Sequence, residues 1–362
     1  MTSTRPLDRL GALDCLGTIV AAPEEYARDR QRRTGRPVIG MLCSYVPEEV
    51  VVAAGGLPFR ILPTVAEFTR ADTCLQTYAC CLARGVLERV LTGELDFLSD
   101  LILGNTCDTM QCLADILLTR DRTIETFMMP VHVGHRAARD YLMAEVRRLI
   151  DSVSSHLGQE ITRVSLTEAV VTCRTARRTL GRLYELQRSA TPPLTPVAFH
   201  QAVLARWFMP PVEYVEILSA ILDNPPPPGA SGPRVIVIGG PMLEASVPQV
   251  LEELGAQLVG DDLCTGSRAT WPGPEDVGDP VAAIADRLLA RPQCPTKHLD
   301  DPDPGRTAVA GARQAGADGV ILYRLKFCDP HAFDYPRIKE ALDEAGLPNM
   351  LIEVETSAGG VG

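Results

Sequence analysis

Three cysteines stand where a thiol could do chemistry. Cys107 and Cys328 each close an apolar run and precede an aspartate, in Leu98-Ser-Asp-Leu-Ile-Leu-Gly-Asn-Thr-Cys107-Asp108 and Gly319-Val-Ile-Leu-Tyr-Arg-Leu-Lys-Phe-Cys328-Asp-Pro330. Cys80 stands just before the helical stretch 82–91, where backbone amides and the helix dipole favour a thiolate. Three such thiolates could hold an iron–sulfur cluster. Clusters normally take four cysteine ligands, so three would leave one iron open to water or substrate. Zinc on the same thiols plus His331, three residues after Cys328, is the competing metal site. None of the 11 cysteines forms a C-x-x-C pair, so zinc ribbons and thioredoxin-like motifs drop out. Most of the remaining cysteines read as small buried hydrophobes.

Other residues are weaker candidates. Ser44 and Glu49 lie just past the carboxyl end of the first expected strand, and Glu49 there could give or take a proton near the open iron. The plainer reading of Glu48 and Glu49 is that both are first-turn acids favouring a helix dipole. His132-Val-Gly-His135 has i, i+3 spacing without acidic or thiol companions and reads as a solvated or capping pair. Asp261-Asp-Leu-Cys-Thr-Gly-Ser-Arg268 follows a strand; its Asp, Ser and Arg could meet a thioester or the nucleotide part of coenzyme A, or form a capped loop whose Arg pairs locally. There is no Walker A loop and no G-x-S-x-G elbow, and Gly239-Gly240-Pro241 lacks the spacing of a dinucleotide fingerprint. Any ATP energy must therefore come from another polypeptide.

The elements that carry these residues alternate. Both Cys-Asp runs are apolar in the manner of parallel strands covered on both faces, and each leads into helical spacing: Met110, Leu113, Ile116 and Leu117 after the first, Phe333, Ile338 and Leu342 after the second. Further strands are expected at 37–43, 59–62, 127–130, 234–240, 257–262 and 349–355, with helices between them, which predicts an α/β fold with parallel sheets. Ligands in such sheets collect at the carboxyl ends of the strands, where both thiols would sit. The division is a helical segment 1–35, a first α/β domain 36–133, a helical segment 134–222, a proline-rich linker 223–233, and a second α/β domain 234–362.

With 362 residues the chain is long enough for two domains, and a formal charge of -11 argues against nonspecific nucleic-acid binding. No run approaches the roughly 20 apolar residues of a membrane span, and residues 1–23 make a poor signal peptide, so a cytoplasmic location is expected. In that compartment a disulfide framework is not.

Taken together, the motifs resemble the iron–sulfur subunits of the benzoyl-CoA reductase and 2-hydroxyacyl-CoA dehydratase family. The likeness runs nearly end to end: Val38 to Glu49, Ala53 to Arg60, Cys80-Cys-Leu-Ala-Arg84, Thr106-Cys-Asp108, Asp261 to Arg268, and Lys326-Phe-Cys-Asp-Pro330. The resemblance implies two tandem flavodoxin-like domains with a [4Fe-4S] cluster between them, held by Cys80, Cys107 and Cys328. It implies an acyl-CoA or aryl-CoA substrate and a paralogous second subunit or homodimer. It also implies a dimeric ATP-hydrolysing iron–sulfur activator that injects low-potential electrons. Reductases in the family dearomatise an aryl thioester; dehydratases use one electron catalytically, so that a 2-hydroxyacyl-CoA loses water. Either reaction needs a dry pocket that protects a radical. The loop 261–268 and the segment Ala290-Arg-Pro-Gln-Cys-Pro295 look closer to the reductase branch; a noncatalytic cluster-holding partner or a cluster-free binding protein are the alternatives. Two departures stand out. Cys80-Cys81 replaces the family's usual Cys-Pro, with Cys80 taken as ligand by its distance from Arg84, and the family's terminal Thr-Arg motif and helix are missing beyond Gly362.

Overall fold

A computed structural model describes residues 9–63, 67–120, 124–229, 231–298 and 301–355. The terminal residues 356–362 lie outside the described residues. Two helices open the described chain, α1 (Arg9–Ala21) and α2 (Pro23–Thr34), the second started by a proline at its first turn and stopped by Gly35 in the left-handed conformation.

The first sheet contains β1 (Val38–Leu42), β2 (Leu57–Arg60), β3 (Asp100–Asn105) and β4 (Ile124–Met128) in the order β2-β1-β3-β4, all parallel. Its crossover helices are the short α3 (Glu48–Ala53), α4 (Cys81–Leu91) and α5 (Asp108–Leu118). All of β1 and β2 is buried, which explains why their residues read as continuous apolar runs without alternation. Two boundaries differ from the sequence expectation. The second strand begins at Leu57 because Gly55, at φ 74, turns the chain directly out of α3. The fourth begins at Ile124, three residues early, since Ile124 and Thr126 continue the pairing with β3.

Four helices follow: α6 (Ala138–Leu157), α7 (Arg163–Gln187), α8 (Pro196–Ala205) and α9 (Pro211–Asp223). The second sheet then repeats the first. Strands β5 (Arg234–Gly239), β6 (Gln257–Asp262), β7 (Gly319–Leu325) and β8 (Asn349–Val354) lie parallel in the order β6-β5-β7-β8. Their connections contain α10 (Ser246–Glu253), α11 (Pro280–Ala290), α12 (Pro304–Gln314) and α13 (Asp329–Glu344). The architecture is α/β with two tandem flavodoxin-like sheets.

One hydrophobic core runs from α1 through the first sheet and the helices α6–α9 to one face of the second sheet; a smaller core under α12 and α13 covers the other face. Helix α7 touches α3, α9, α11 and β6, so it bridges both halves. No helix among the described residues is long and apolar enough to cross a membrane.

Candidate functional site

Cys107 follows β3 and Cys328 follows β7, the corresponding strands of the two sheets. In each sheet that strand lies beside the first one, across the point where the strand order reverses. This crevice at the carboxyl ends is where open α/β sheets bind ligands. Each cysteine is also the N-cap of the helix that follows, as Cys80 is of α4. An N-cap has extended or otherwise non-helical backbone and directs its side chain at the orphan amides of the first turn. None of the three sulfurs makes a capping hydrogen bond, but the amides of Leu82 and Ala83 near Cys80, of Thr109 and Met110 near Cys107, and of His331 near Cys328 each favour the thiolate. Asp108 and Asp329 occupy the first helical positions, where a carboxylate suits the dipole.

The three thiols share one neighbourhood. Cys107 feels the charge of Cys80, and Cys328 that of both Cys80 and Cys107. Burial pushes all three thiols up, Cys107 to about 11, so each is neutral near pH 7 unless something electropositive sits among them. Cys81, pushed up to about 12 by burial, neighbours Cys80 and Glu244 instead. Phe327, directly before Cys328, has φ 63, a strained conformation for an aromatic residue and of the kind that gathers at functional sites.

No three His, Cys, Asp or Glu side chains among the described residues converge as they would around a single metal ion. The zinc reading is therefore corrected. The ring of His331 sits in the field of Arg268, Asp262 and Arg324, and burial with Arg268 lowers it to about 3. It is the backbone amide of His331 that favours the Cys328 thiolate. The three sulfurs, each within the electrostatic field of another, would suit a larger electropositive group spanning the space among them better than a single ion.

Ser44 and Glu49, the two residues expected to act on protons, are both held by arginines. Glu49 is fully buried and ion-paired to Arg177 of α7 and Arg287 of α11, both at 2.9 Å. Burial alone would raise its carboxyl, but the two guanidinium groups win and hold it down at about 2. A carboxylate so held has no proton to give near neutral pH. Glu48 pairs with Arg177 at 2.7 Å and with Arg206. Both glutamates are first-turn acids of α3, as expected, and in addition clamp it to α7, α8 and α11. Ser44 receives Arg291 on its carbonyl at 2.6 Å and on its hydroxyl at 3.0 Å. Beside it, the Tyr45 hydroxyl donates to Gln293 at 2.7 Å and accepts the Cys294 amide at 2.9 Å. The loop after β1 thus latches residues 291–294 across the two halves.

That latch carries a thiol which sequence reasoning passed over. Cys294 contributes to the field at Cys107 and Cys328, and also at Cys43 and Cys264. Cys43 packs on β3 where Gly104 leaves room; a Cβ there would lie 2.5 Å from that of Cys43. Arg60, almost wholly buried, has its Nη2 3.9 Å from Cys264 Sγ, while its Nε and Nη1 have no partner.

The loop 261–268 takes the self-contained form. Asp261 accepts the amides of Leu263 and Ser267 and the hydroxyl of Tyr184, and Arg268 forms a fork on Asp262 at 2.6 and 3.0 Å. Arg268 keeps one unpartnered nitrogen and lines a cavity of about 690 Å³ with Trp271, Cys294, Lys297, Tyr323 and His331. His135 accepts the Ala137 amide at 3.2 Å in the turn before α6. His132 instead stacks on His298, 5.1 Å between centroids.

Residues 43–362 match the family described as 2-hydroxyglutaryl-CoA dehydratase, D-component. The chain belongs to this family. The (R)-phenyllactyl-CoA dehydratase beta subunit of Clostridium sporogenes is 28% identical over 342 residues, covering 93% of this chain and 91% of that one. The (R)-2-hydroxyglutaryl-CoA dehydratase subunit beta of Acidaminococcus fermentans is 27% identical over 357 residues, 93% of this chain and 92% of its own. A benzoyl-CoA reductase subunit of Thauera aromatica is 24% identical over 343 residues, 90% and 87% of the two chains. As a D-component family member, the chain is an enzyme subunit of the acyl-CoA dehydratase and reductase type.

Proposed function

We propose that this chain is the iron–sulfur subunit of an enzyme that passes single low-potential electrons to a coenzyme A thioester. The observation that carries the proposal is that Cys80, Cys107 and Cys328, from both halves of the chain, all occupy helix N-cap positions within one another's electrostatic field. On this reading 36–133 and 234–362 are the two domains, joined through the helices of 134–222 and the linker 223–233. Cys80, Cys107 and Cys328 would hold a [4Fe-4S] group, which supplies a one-electron couple and, with three protein ligands, an iron position open to substrate.

The chain's own residues do the rest. Amides of Leu82, Ala83, Thr109, Met110 and His331 lie near the ligand sulfurs and would tune the potential of the bound group. Burial of the cleft keeps water from a radical. The adjoining cavity, whose volume lies within the usual range for small-molecule sites, offers Arg268, Lys297 and Trp271 to the thioester. Its partners are a related second subunit, or a second copy, and a separate ATP-hydrolysing activator, since the chain has no phosphate-binding motif of its own. The whole assembly is expected in the cytoplasm.

Between the two reactions, dehydration of a 2-hydroxyacyl-CoA is the first reading, because the relatives at 27–28% identity are both named as dehydratases. Reduction of an aryl-CoA is the second, favoured by the loop 261–268 and the segment 290–295. The test is an anaerobic assay of the co-expressed subunits and activator on (R)-phenyllactyl-CoA, (R)-2-hydroxyglutaryl-CoA and benzoyl-CoA with ATP and a reductant. Enoyl-CoA formed with catalytic reductant supports the dehydratase, and a dearomatised product formed with stoichiometric reductant supports the reductase. Turnover unchanged in Cys107→Ser contradicts the electron-transfer role of this subunit.

A further inference from the structure

A buried cation is costly unless an anion returns the interactions it loses with water. Arg177, Arg206 and Arg287 find that anion in Glu48 and Glu49. The wall of the cavity of about 690 Å³ is different. Arg268 is 6% exposed there and Lys297 8%. Arg268 spends Nε and Nη2 on Asp262, and its buried Nη1 has no partner. The Lys297 ammonium has three N–H groups to place. Among the described residues it meets only the Met129 carbonyl at 3.4 Å and the face of the Tyr45 ring at 5.9 Å. Arg291, on the same wall, donates to Ser44 rather than to an acid, and its Nε is unpartnered. The acids of the wall do not answer these charges. Asp262 is taken by Arg268, and Asp303 by the Arg306 amide and the Arg337 guanidinium. Only Asp334, half-buried, is left over among the described lining acids, and the wall keeps a surplus of positive charge.

We propose that this wall is an oxyanion site, in which Arg268 Nη1 and Lys297 Nζ hold a carboxylate or phosphate group of the ligand. The site rests on the function above, in which this cavity takes the thioester. A coenzyme A thioester brings such a group at either end: the phosphates of the coenzyme, or the distal carboxylate of a dicarboxylic acyl chain. Charge-assisted hydrogen bonds from a guanidinium and an ammonium are short and strong, and burial screens them little. The fork on Asp262 fixes the plane of the Arg268 guanidinium, so the direction of Nη1 is set before a ligand arrives. Leu289, Leu322 and Ile338 give the cavity apolar walls, and Trp271 is 44% exposed in it. That combination suits a ligand with one charged end on an apolar or aromatic body.

The test is calorimetric titration of the full chain, purified anaerobically, without activator, ATP or reductant. The probes are coenzyme A, (R)-phenyllactyl-CoA, (R)-2-hydroxyglutaryl-CoA, free glutarate and inorganic phosphate. Arg268→Gln and Lys297→Met should each weaken binding by about 10–100-fold, the loss of one hydrogen bond to a charged group. Lys297→Met orphans no carboxylate, so it decides the matter should Arg268→Gln, which frees Asp262, fail to fold. Weakening confined to (R)-2-hydroxyglutaryl-CoA and glutarate places the acyl carboxylate in the site. Equal weakening for coenzyme A, both thioesters and phosphate places a phosphate of the coenzyme there. Affinities unchanged in Lys297→Met, or a wild-type chain that binds none of these probes, overturn the proposal. Glutarate or phosphate held through Arg268 and Lys297, with no coenzyme A compound bound, overturns the function above and leaves the oxyanion site standing.

Discussion

Helices usually begin on serine, threonine, aspartate or asparagine, whose oxygens bond the first amides. Here α4, α5 and α13 begin on cysteine, and the three sulfurs share one neighbourhood. Two of these positions were legible in the sequence because a buried strand ending in Cys-Asp is an odd place to stop an apolar run. The choice between Cys80 and Cys81 was not legible from local pattern, since both are followed by the same helix. The structure separates them by neighbours: Cys80 enters the fields of Cys107 and Cys328, and Cys81 that of Glu244. Cys81→Ala should therefore keep wild-type iron and EPR signals, whereas Cys80→Ala should lose or alter them. The reverse result would reassign the ligand. The ion pairs of Glu49 were hidden for a different reason. Arg177 and Arg287 lie far off in sequence, the latter 238 residues away, so no local pattern could announce that they neutralise it.

The strand–Cys-Asp–helix unit occurs once per sheet and in the same place in the strand order, third in sequence and beside the first strand. That repetition was readable because parallel strands buried on both faces keep their apolar runs intact. Helix α11 was missed although Asp279 and Pro280 start it in the usual way, because proline-rich flanks on both sides suggest loop. It matters, since it supplies Arg287 and leads into the latch at Arg291. Helix α3 is only six residues long and would be marginal alone; Glu48 and Glu49 fasten it to α7, to Arg206 at the end of α8, and to α11. Removing one partner of a buried pair leaves an uncompensated charge, so Glu49→Ala should cost roughly 3–5 kcal/mol. The pH dependence has a definite sign. A carboxyl lowered to about 2 contributes stability that is complete above its unfolded value, about 4.3, and is lost as the pH falls towards 2. Melting curves of wild type and Glu49→Ala should differ most above pH 5 and converge in acid. A difference that is flat across this range would mean that the pairing is not what stabilises α3.

At the scale of the whole molecule, the sequence divides into segments but the core does not. Apolar side chains run without a break from α1 to the second sheet, and α7, the loop after β1 and residues 291–294 tie the halves together. A shared core of this kind suits a site whose donors come from both halves, because relative movement of the sheets would separate Cys107 from Cys328. Long-range ties are what the sequence hid: it displayed the strands and their thiols, but not the arginines and the Tyr45 latch that fix one half against the other. The central claim is that Cys80, Cys107 and Cys328 jointly hold an iron–sulfur group. It is tested most directly by anaerobic purification with the partner subunit and activator, followed by iron, sulfide and EPR measurements on wild type and on each single Cys→Ser variant. The account predicts about four irons per chain in wild type and loss or alteration of the signal in all three variants, each still folded. Folded wild-type protein without iron, or a signal that survives Cys107→Ser and Cys328→Ser unchanged, would contradict it.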